Sequence, residues 1–312
     1  MKRKKNASTT AEFDLVGREH EGDLVRACLE ADKNVLLEGP VGVGKTHLAL
    51  AITDALGLPV FRVDGDSRYT EQKLSGWFDP PTVIKKGYGP TSFVPGPLVE
   101  AMKAGGILFI NELNRLPEGV QNILLPAIDE RIVMIPRLGV IKAAQGFRVL
   151  ATQNPKEFVA TSHLSEAILD RFELVVLEYQ SEVEETKIVT DRLKSSKADV
   201  IMPLATGAVR LARMTRVHPK VRRGASVRAA LSMAEIAVVL QKGGMTFKEA
   251  FLRAALLALP TRIEIEREAE SARSMRAEIE TLITELSKDI LENLNAPQEE
   301  RFDSGQKKKS RH

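Results

Sequence analysis

Residues 39 to 46 read Gly-Pro-Val-Gly-Val-Gly-Lys-Thr and follow the apolar run Val35-Leu36-Leu37. Glycines in such a loop let backbone N–H groups approach a polyphosphate, while the lysine reaches the β- and γ-oxygens and the threonine hydroxyl meets Mg²⁺. The segment 46–56 has helical composition and would point its positive dipole end at the same phosphates. The predicted nucleotide-binding stretch comprises Gly39, Pro40, Val41, Gly42, Val43, Gly44, Lys45, Thr46 and His47.

Short apolar runs alternate with helical or loop segments as far as residue 178, which predicts an α/β fold. Continuous apolar runs are typical of parallel strands whose two faces are covered by helices. We therefore expect a P-loop parallel sheet with helices on both faces, in a domain over 13–178. The predicted strands are 35–37, 60–63, 107–110, 147–151 and 174–177, and the predicted helices are 46–56, 96–104, 117–130 and 163–170.

Two stretches exceed a minimal fold of this class. Residues 67–97 are rich in Gly, Pro and aromatic side chains, and a loop of this length in a compact domain is usually functional. Residues 131–142 hold two apolar runs around Pro136-Arg137-Leu138-Gly139, which predicts a hairpin. Both stretches are treated as inserts in the sheet domain.

After Glu178 the pattern becomes helical, which predicts a small helical domain over 179–260. Pro203, Gly224 and Gly243-Gly244 are expected to separate its helices. A long amphipathic helix is predicted over 261–296, because apolar residues recur on one face of it. This helix could pack on the helical domain or form a coiled coil with a partner.

Composition excludes several classes of protein. The net charge is +3 and the basic runs lie in the tails 1–12 and 297–312, which are expected to be disordered, so binding to nucleic acid is not expected. No apolar stretch suits a membrane span or a secretory signal, and a cytoplasmic protein is expected. The single cysteine, Cys28, is expected to be buried and inert, and the five histidines lack metal-ligand spacing.

Polar residues follow the strands that should share an edge with the phosphate loop, where open α/β sheets bind ligands. Glu112 is the candidate general base. Asn111 is a candidate for holding Mg²⁺ together with Thr46, although its amide brings no charge. Asn154 could position the attacking water, or could be an ordinary Asn-Pro turn residue. Arg171 could reach the γ-phosphate of a neighbouring subunit, or could form an ordinary salt bridge.

Six motifs in chain order resemble those of the AAA+ ATPases, and within them the MoxR family, from about Phe13 to Ile263. Their order and spacing make the resemblance specific, although no single motif is decisive. The motifs resemble, in turn, the N-terminal linker (Val16–Glu19), Walker A (Gly39–Thr46), Walker B (Phe109–Arg115), sensor 1 (Ala151–Pro155), the arginine finger (Leu169–Phe172) and sensor 2 (Gly224–Ala229).

The resemblance implies roles that composition does not. Val16 and Gly17 would lie at the nucleotide, and Arg228 would reach the γ-phosphate of its own subunit. The stretches 67–97 and 131–142 would correspond to the family's helix 2 and presensor 1 inserts. The family usually has an aspartate where this chain has Asn111, so ATP hydrolysis is expected to be slow.

The implied function is that of an ATP-driven chaperone with ATP and Mg²⁺ as cofactors. Such proteins form homo-oligomers, often hexameric rings, that remodel or activate a client protein or mature a metalloenzyme, frequently with a partner that carries a von Willebrand factor A domain. Two alternatives stay open at this point. One is a nucleic-acid-remodelling AAA+ motor, and the other is an ATP-gated scaffold with little hydrolysis.

Overall fold

The computed structural model describes residues 15–154, 164–193, 198–266 and 274–293; the two predicted tails lie outside these ranges. The chain divides into two compact units, Met1–Tyr179 and Gln180–His312. Within the described ranges, no helix combines the length and the apolar character needed to cross a membrane.

The described part of the first unit contains nine strands, five of which form one parallel sheet. The strands are β1 (Val35–Glu38), β2 (Val60–Asp64), β3 (Gly76–Phe78), β4 (Phe93–Pro95), β5 (Ile107–Asn111), β6 (Ile132–Ile135), β7 (Gly139–Lys142), β8 (Arg148–Gln153) and β9 (Glu173–Val176). The order across the sheet is β2–β5–β8–β1–β9, and every neighbouring pair is parallel. The predicted parallel sheet is confirmed.

Alternate residues of the central strands enter two different apolar cores, one on each face of the sheet. Leu36, Leu108 and Ile110 pack in one core, whereas Leu37 and Phe109 pack in the other. Strand side chains point alternately to opposite faces, so both cores must be filled by helices. The helices of this unit are α1 (Glu19–Glu30), α2 (Lys45–Ala55), α3 (Glu71–Ser75), α4 (Pro80–Lys86), α5 (Pro97–Ala104), α6 (Glu118–Asn122), α7 (Leu124–Asp129) and α8 (Glu166–Leu169).

The single helix predicted over 117–130 is wrong, because the structure has α6 and α7 there. The break follows from Pro126, which has no N–H to donate to the carbonyl of Asn122, the last residue of α6.

The expectation of an irregular loop over 67–97 is also wrong. The segment contains α3, α4 and the antiparallel pair of β3 with β4. Thr70 and Asp79 cap the two short helices by accepting hydrogen bonds from the backbone N–H groups of Lys73 and Thr82. The rings of Phe78, Tyr88 and Phe93 pack edge to face.

The hairpin predicted over 131–142 is confirmed, with β6 paired to β7 in antiparallel register. Its turn carries Arg137 and Gly139 at φ values of 67° and 96°. The Arg137 guanidinium lies 3.9 Å from the centre of the Tyr88 ring, which joins this hairpin to the 67–97 segment.

The second unit is mainly helical and has its own apolar core. Its elements are α9 (Glu182–Arg192), α10 (Ala198–Val217), β10 (Val221–Arg223), α11 (Val227–Lys242), α12 (Phe247–Ala258), β11 (Glu264–Ile265) and α13 (Met275–Asn293). Pro203 lies inside α10 instead of ending a helix. Of the helix predicted over 261–296, the described residues contain α13, whereas residues 264–265 form β11, which pairs with β10 instead.

Ile283 and Leu291 of α13 are buried in the core of the second unit, and so are four further apolar residues of this helix: Ile279, Leu282, Leu286 and Ile290. These four belong to the apolar stripe recognised in the sequence. This helix therefore packs on the helical unit, in agreement with the first of the two expected arrangements.

The carboxyl ends of β2 and β5 approach so closely at Gly65 that a side chain has no room. The Gly65 N–H donates to the Asn111 carbonyl at 2.7 Å, and a Cβ at Gly65 would lie 2.1 Å from the Glu112 carbonyl oxygen. Backbone atoms cannot retreat as a flexible side chain would. The position therefore requires glycine.

We expect Gly65→Ala to destabilise the protein by about 2 kcal/mol, since overpacking forces backbone shifts. The free energy of unfolding in urea, followed by circular dichroism, checks this. Gly89→Ala is the matched control, because an added Cβ there meets no atom within 4 Å. Equal stability of the two variants would contradict the assigned constraint.

Candidate nucleotide-binding site

The loop between β1 and α2 has the backbone of a phosphate cradle. Gly42 and Gly44 have φ values of 81° and 96°, and left-handed Gly44 is the N-cap of α2. Among the described residues no side chain caps that helix end, and the first turn of a helix is a typical binding place for an anion. Lys45, the first helical residue, donates from Nζ to the carbonyls of Gly39 at 2.6 Å and Pro40 at 2.8 Å. The ammonium group is thereby held over the loop.

Asn111 connects the phosphate loop to the ends of two strands. Its Oδ1 accepts hydrogen bonds from the Thr46 hydroxyl at 2.9 Å and from the Thr152 hydroxyl at 3.1 Å. Its Nδ2 donates to Asp64 Oδ1 at 3.0 Å. Thr46 and Asn111, the two predicted metal-binding residues, therefore lie in direct contact, and the Thr46 oxygen keeps lone pairs for a cation.

Glu112, the predicted general base, lies directly beyond β5 in the left-handed conformation, at φ 60°. Its N–H donates to the Thr152 hydroxyl at 2.9 Å. Its carboxylate is half-exposed and forms an ion pair with Arg115 at 3.1 Å. A non-glycine residue in this conformation stores strain, which is often found at functional positions. Arg115, quoted only as the last residue of the Walker B resemblance, is thus a direct partner of the candidate base.

Asn154 follows the last residue of β8 and is buried, at 7% exposure. Its carbonyl oxygen accepts a hydrogen bond from Asn114 Nδ2 at 3.3 Å. Since β8 lies between β5 and β1, Asn154 reaches the edge of the sheet that also carries Glu112 and the phosphate loop. The sequence-predicted residues brought together at this edge are Lys45, Thr46, Asn111, Glu112 and Asn154.

Val16 and Gly17 lie in the turn before α1, with Gly17 at φ 66°. The next residue, Arg18, is 6% exposed and was not predicted as a site residue. Its guanidinium donates to the carbonyls of Val43, at 3.1 Å, and Glu178, and also pairs with Glu21. Arg18 therefore holds this turn against the phosphate loop. An arginine next to two acidic residues in a sequence looks like a surface charge, so only the resemblance at 16–19 pointed to this segment.

Arg171 lies away from this group of residues, at the opposite edge of the sheet. Its carbonyl accepts a hydrogen bond from Asn34, which immediately precedes β1, and β9 begins two residues later. Its side chain pairs with Asp129 at 2.6 Å, which raises the pKa of the guanidinium above its usual value. The ordinary salt bridge considered from the sequence is therefore present.

Arg228 belongs to the second unit, where it is the second residue of α11 and is exposed to solvent. Its predicted contact with the γ-phosphate stays a prediction.

A five-stranded parallel sheet with a glycine-rich phosphate cradle between β1 and α2 defines a P-loop protein. The model of the AAA domain (dynein-related subfamily) matches residues 34–172. An uncharacterized protein of Staphylococcus epidermidis is 31% identical over 218 residues, which cover 69% of this chain and 82% of that protein. Another, from Staphylococcus saprophyticus, is 27% identical over 217 residues, with the same coverage of 69% and 82%. The chain belongs to the AAA+ ATPase family.

Among solved structures, the Thermotoga maritima RuvB Holliday junction branch migration motor is similar with a TM-score of 0.51. It is 19% identical, and the match covers 78% of this chain and 70% of that one. At this identity the similarity concerns the fold alone.

Cys28 is half-buried on α1, not fully buried as expected. Burial raises the pKa of its thiol, and the charge of Glu173 raises it further. Because the thiolate is the reactive form, we expect Cys28 to react more slowly with Ellman's reagent at mildly alkaline pH than free cysteine does. Glu173→Gln should lower the pKa and shift the rate profile to lower pH. Reaction as fast as that of free cysteine would contradict this assignment.

Proposed function

We propose that this chain is a MoxR-type AAA+ ATPase that hydrolyses ATP at the interfaces between subunits of a homo-oligomeric ring. The position of Arg171 is the observation that bears most directly on this proposal. The work of the ring is to remodel, activate or mature a client protein or metalloenzyme. The six motifs that resemble the MoxR family support the chaperone role. They also support a hexamer and a partner with a von Willebrand factor A domain.

The residues at the carboxyl edge of the sheet suit Mg²⁺-ATP. Thr46 and Asn111 offer hydroxyl and amide oxygens, which are hard ligands of the kind that Mg²⁺ takes together with phosphate oxygens. Bound Mg²⁺ would neutralise charge on the phosphates during transfer. Lys45 and the N–H groups of the loop bind the phosphates, and Glu112 accepts a proton from the attacking water.

The proposal of hydrolysis between subunits rests on the separation of Arg171 from the carboxyl ends of the strands. Arg171 adjoins the start of β1, whereas the phosphate loop begins where β1 ends. Strand β1, which separates them, has four residues and spans roughly 13 Å at about 3.3 Å per residue. An arginine finger at this place meets a nucleotide only if a second subunit presents one. Its pairing with Asp129 lies on the surface, so the guanidinium can exchange partners on assembly.

We expect Glu112→Gln to retain ATP binding and to lower the turnover rate about 10²–10⁴-fold, because a general base is lost. Lys45→Ala should instead weaken ATP binding. The measurements are phosphate release and the affinity for a fluorescent ATP analogue. Glu118→Gln, an exposed glutamate at the start of α6, is the control and should match the wild type. Unchanged phosphate release by Glu112→Gln would contradict the role of Glu112.

Mixing two inactive variants tests the shared site. Arg171→Ala alone should lower phosphate release about 10³-fold or more while ATP still binds. In a mixture with Glu112→Gln, some interfaces combine an intact Glu112 with an intact Arg171, so activity should return in part. The control replaces Arg171→Ala by the Arg171→Ala/Glu112→Gln double variant, which cannot complement. Full activity of Arg171→Ala, or no recovery in the mixture, would contradict the role in trans.

Asn111 favours a second candidate, an ATP-gated scaffold that assembles on ATP with little hydrolysis. A neutral amide stands where the family usually has a carboxylate, and it holds Mg²⁺ less strongly. Single-turnover measurements with excess protein separate the candidates. A slow enzyme converts the bound ATP in one phase, whereas a scaffold retains it unhydrolysed.

A further inference from the structure

The negative charge that Asn111 lacks is present one strand away, on Asp64. Asp64 is the last residue of β2, and it is the register partner of Asn111 at the end of β5. Asp64 Oδ1 accepts a hydrogen bond from Asn111 Nδ2 at 3.0 Å. The Asn111 amide therefore connects the Asp64 carboxylate to the Thr46 hydroxyl.

The backbone fixes this juxtaposition. The residue after Asp64, Gly65, donates its N–H to the Asn111 carbonyl at 2.7 Å, and its lack of a side chain permits that approach. Asp64 thus reaches the side chain of Asn111 from a strand end that cannot shift without breaking the contact. A carboxylate that was only a solvated surface charge would not need such a backbone contact at Gly65.

The contact also decides which way the Asn111 amide faces. The Asp64 carboxylate can only accept hydrogen bonds, so it binds the NH₂ group of the Asn111 amide. The Asn111 Oδ1 atom then accepts hydrogen bonds from Thr46 and Thr152. If the amide turned over, its NH₂ group would face the Thr46 hydroxyl and repel a cation there. A carboxylate at Asp64 therefore keeps an oxygen at the cation side of the site.

Two acidic side chains near the site, Asp64 and Glu112, each pair with an arginine. Arg62 donates to Asp64 at distances from 2.7 to 3.1 Å, and because both side chains are about half exposed and screened by solvent, this cation offsets only part of the charge of the Asp64 carboxylate. Glu112 pairs with Arg115. In the part of the chain that the structure describes, no group of three His, Cys, Asp or Glu side chains offers an alternative metal site.

We propose that Asp64 is a positioning residue for Mg²⁺-ATP, which orients the Asn111 amide toward Thr46 and supplies the negative charge absent at position 111. This inference rests on the proposed binding of Mg²⁺-ATP. It moves the charge from the central strand β5 to the edge strand β2 of the sheet.

The test measures the affinity for a fluorescent ATP analogue in saturating Mg²⁺ and in EDTA. The ratio of these two affinities is the gain from Mg²⁺, and it is compared between variants. Asp64→Asn should lower the gain from Mg²⁺ about tenfold, because a charge near the cation is lost, and should leave the affinity in EDTA unchanged. A general loss of structure would lower both affinities. Asp66→Asn is the matched control, since Asp66 carries the same charge two residues away and pairs with Arg68.

Two further variants make the outcome decisive. The exchange Asp64→Asn/Asn111→Asp returns the charge to β5 and should restore the gain from Mg²⁺. Arg62→Gln removes the competing cation without changing Asp64 and should raise the gain. The inference is overturned if Asp64→Asn behaves like Asp66→Asn, if the exchange fails to restore the gain, or if Arg62→Gln leaves it at or below the wild-type value.

Failure of the proposed function gives a different result. If the wild-type protein binds the analogue neither in Mg²⁺ nor in EDTA, both the proposed function and the role of Asp64 are wrong. If it binds in both conditions and only the variants disagree, the role of Asp64 alone is wrong.

Discussion

The hydrogen bonds of the Asn111 side chain are the constraint on which the candidate site depends. This one amide contacts Thr46 of the phosphate loop, Thr152 of β8 and Asp64 of β2. It therefore connects α2 with three strand ends. The amide is half-buried, and both its oxygen and its NH₂ group find partners within the protein. Glu112 directly follows Asn111 in the chain, and Asn154 lies two residues after Thr152, so both candidates lie beside this group.

The sheet also explains why a single subunit holds an incomplete set of residues. Parallel strands place all their carboxyl ends at one edge, so the residues that follow β1, β5 and β8 meet there. A residue that precedes a strand lies at the other edge, as Arg171 does before β9. The same topology that gathers Lys45, Glu112 and Asn154 separates them from Arg171, which is why the proposed mechanism needs a second subunit.

Local patterns predicted much of the fold because they reflect local physics. The five strands of the parallel sheet and the hairpin at β6 and β7 were recognisable from apolar runs and turn residues. The predictions failed where tertiary partners or a single residue decided the structure. Pro126 divided one helix into α6 and α7, the pairing of β10 with β11 shortened another, and side-chain caps ordered the segment 67–97. None of these effects changes the periodicity on which such predictions depend.

By itself, the sequence determined the class of this protein, since Gly39–Thr46 after an apolar strand is typical of a phosphate cradle and five further motifs accompany it in the expected order. It also supplied the individual candidates Asn111, Glu112, Asn154 and Arg171. Only the tertiary structure decided that Asp64 contacts Asn111, that Arg18 holds the N-terminal turn on the phosphate loop, and that Arg171 pairs with Asp129. These contacts join residues far apart in the chain, and the reason they form is the parallel packing of strand ends, which no local pattern encodes.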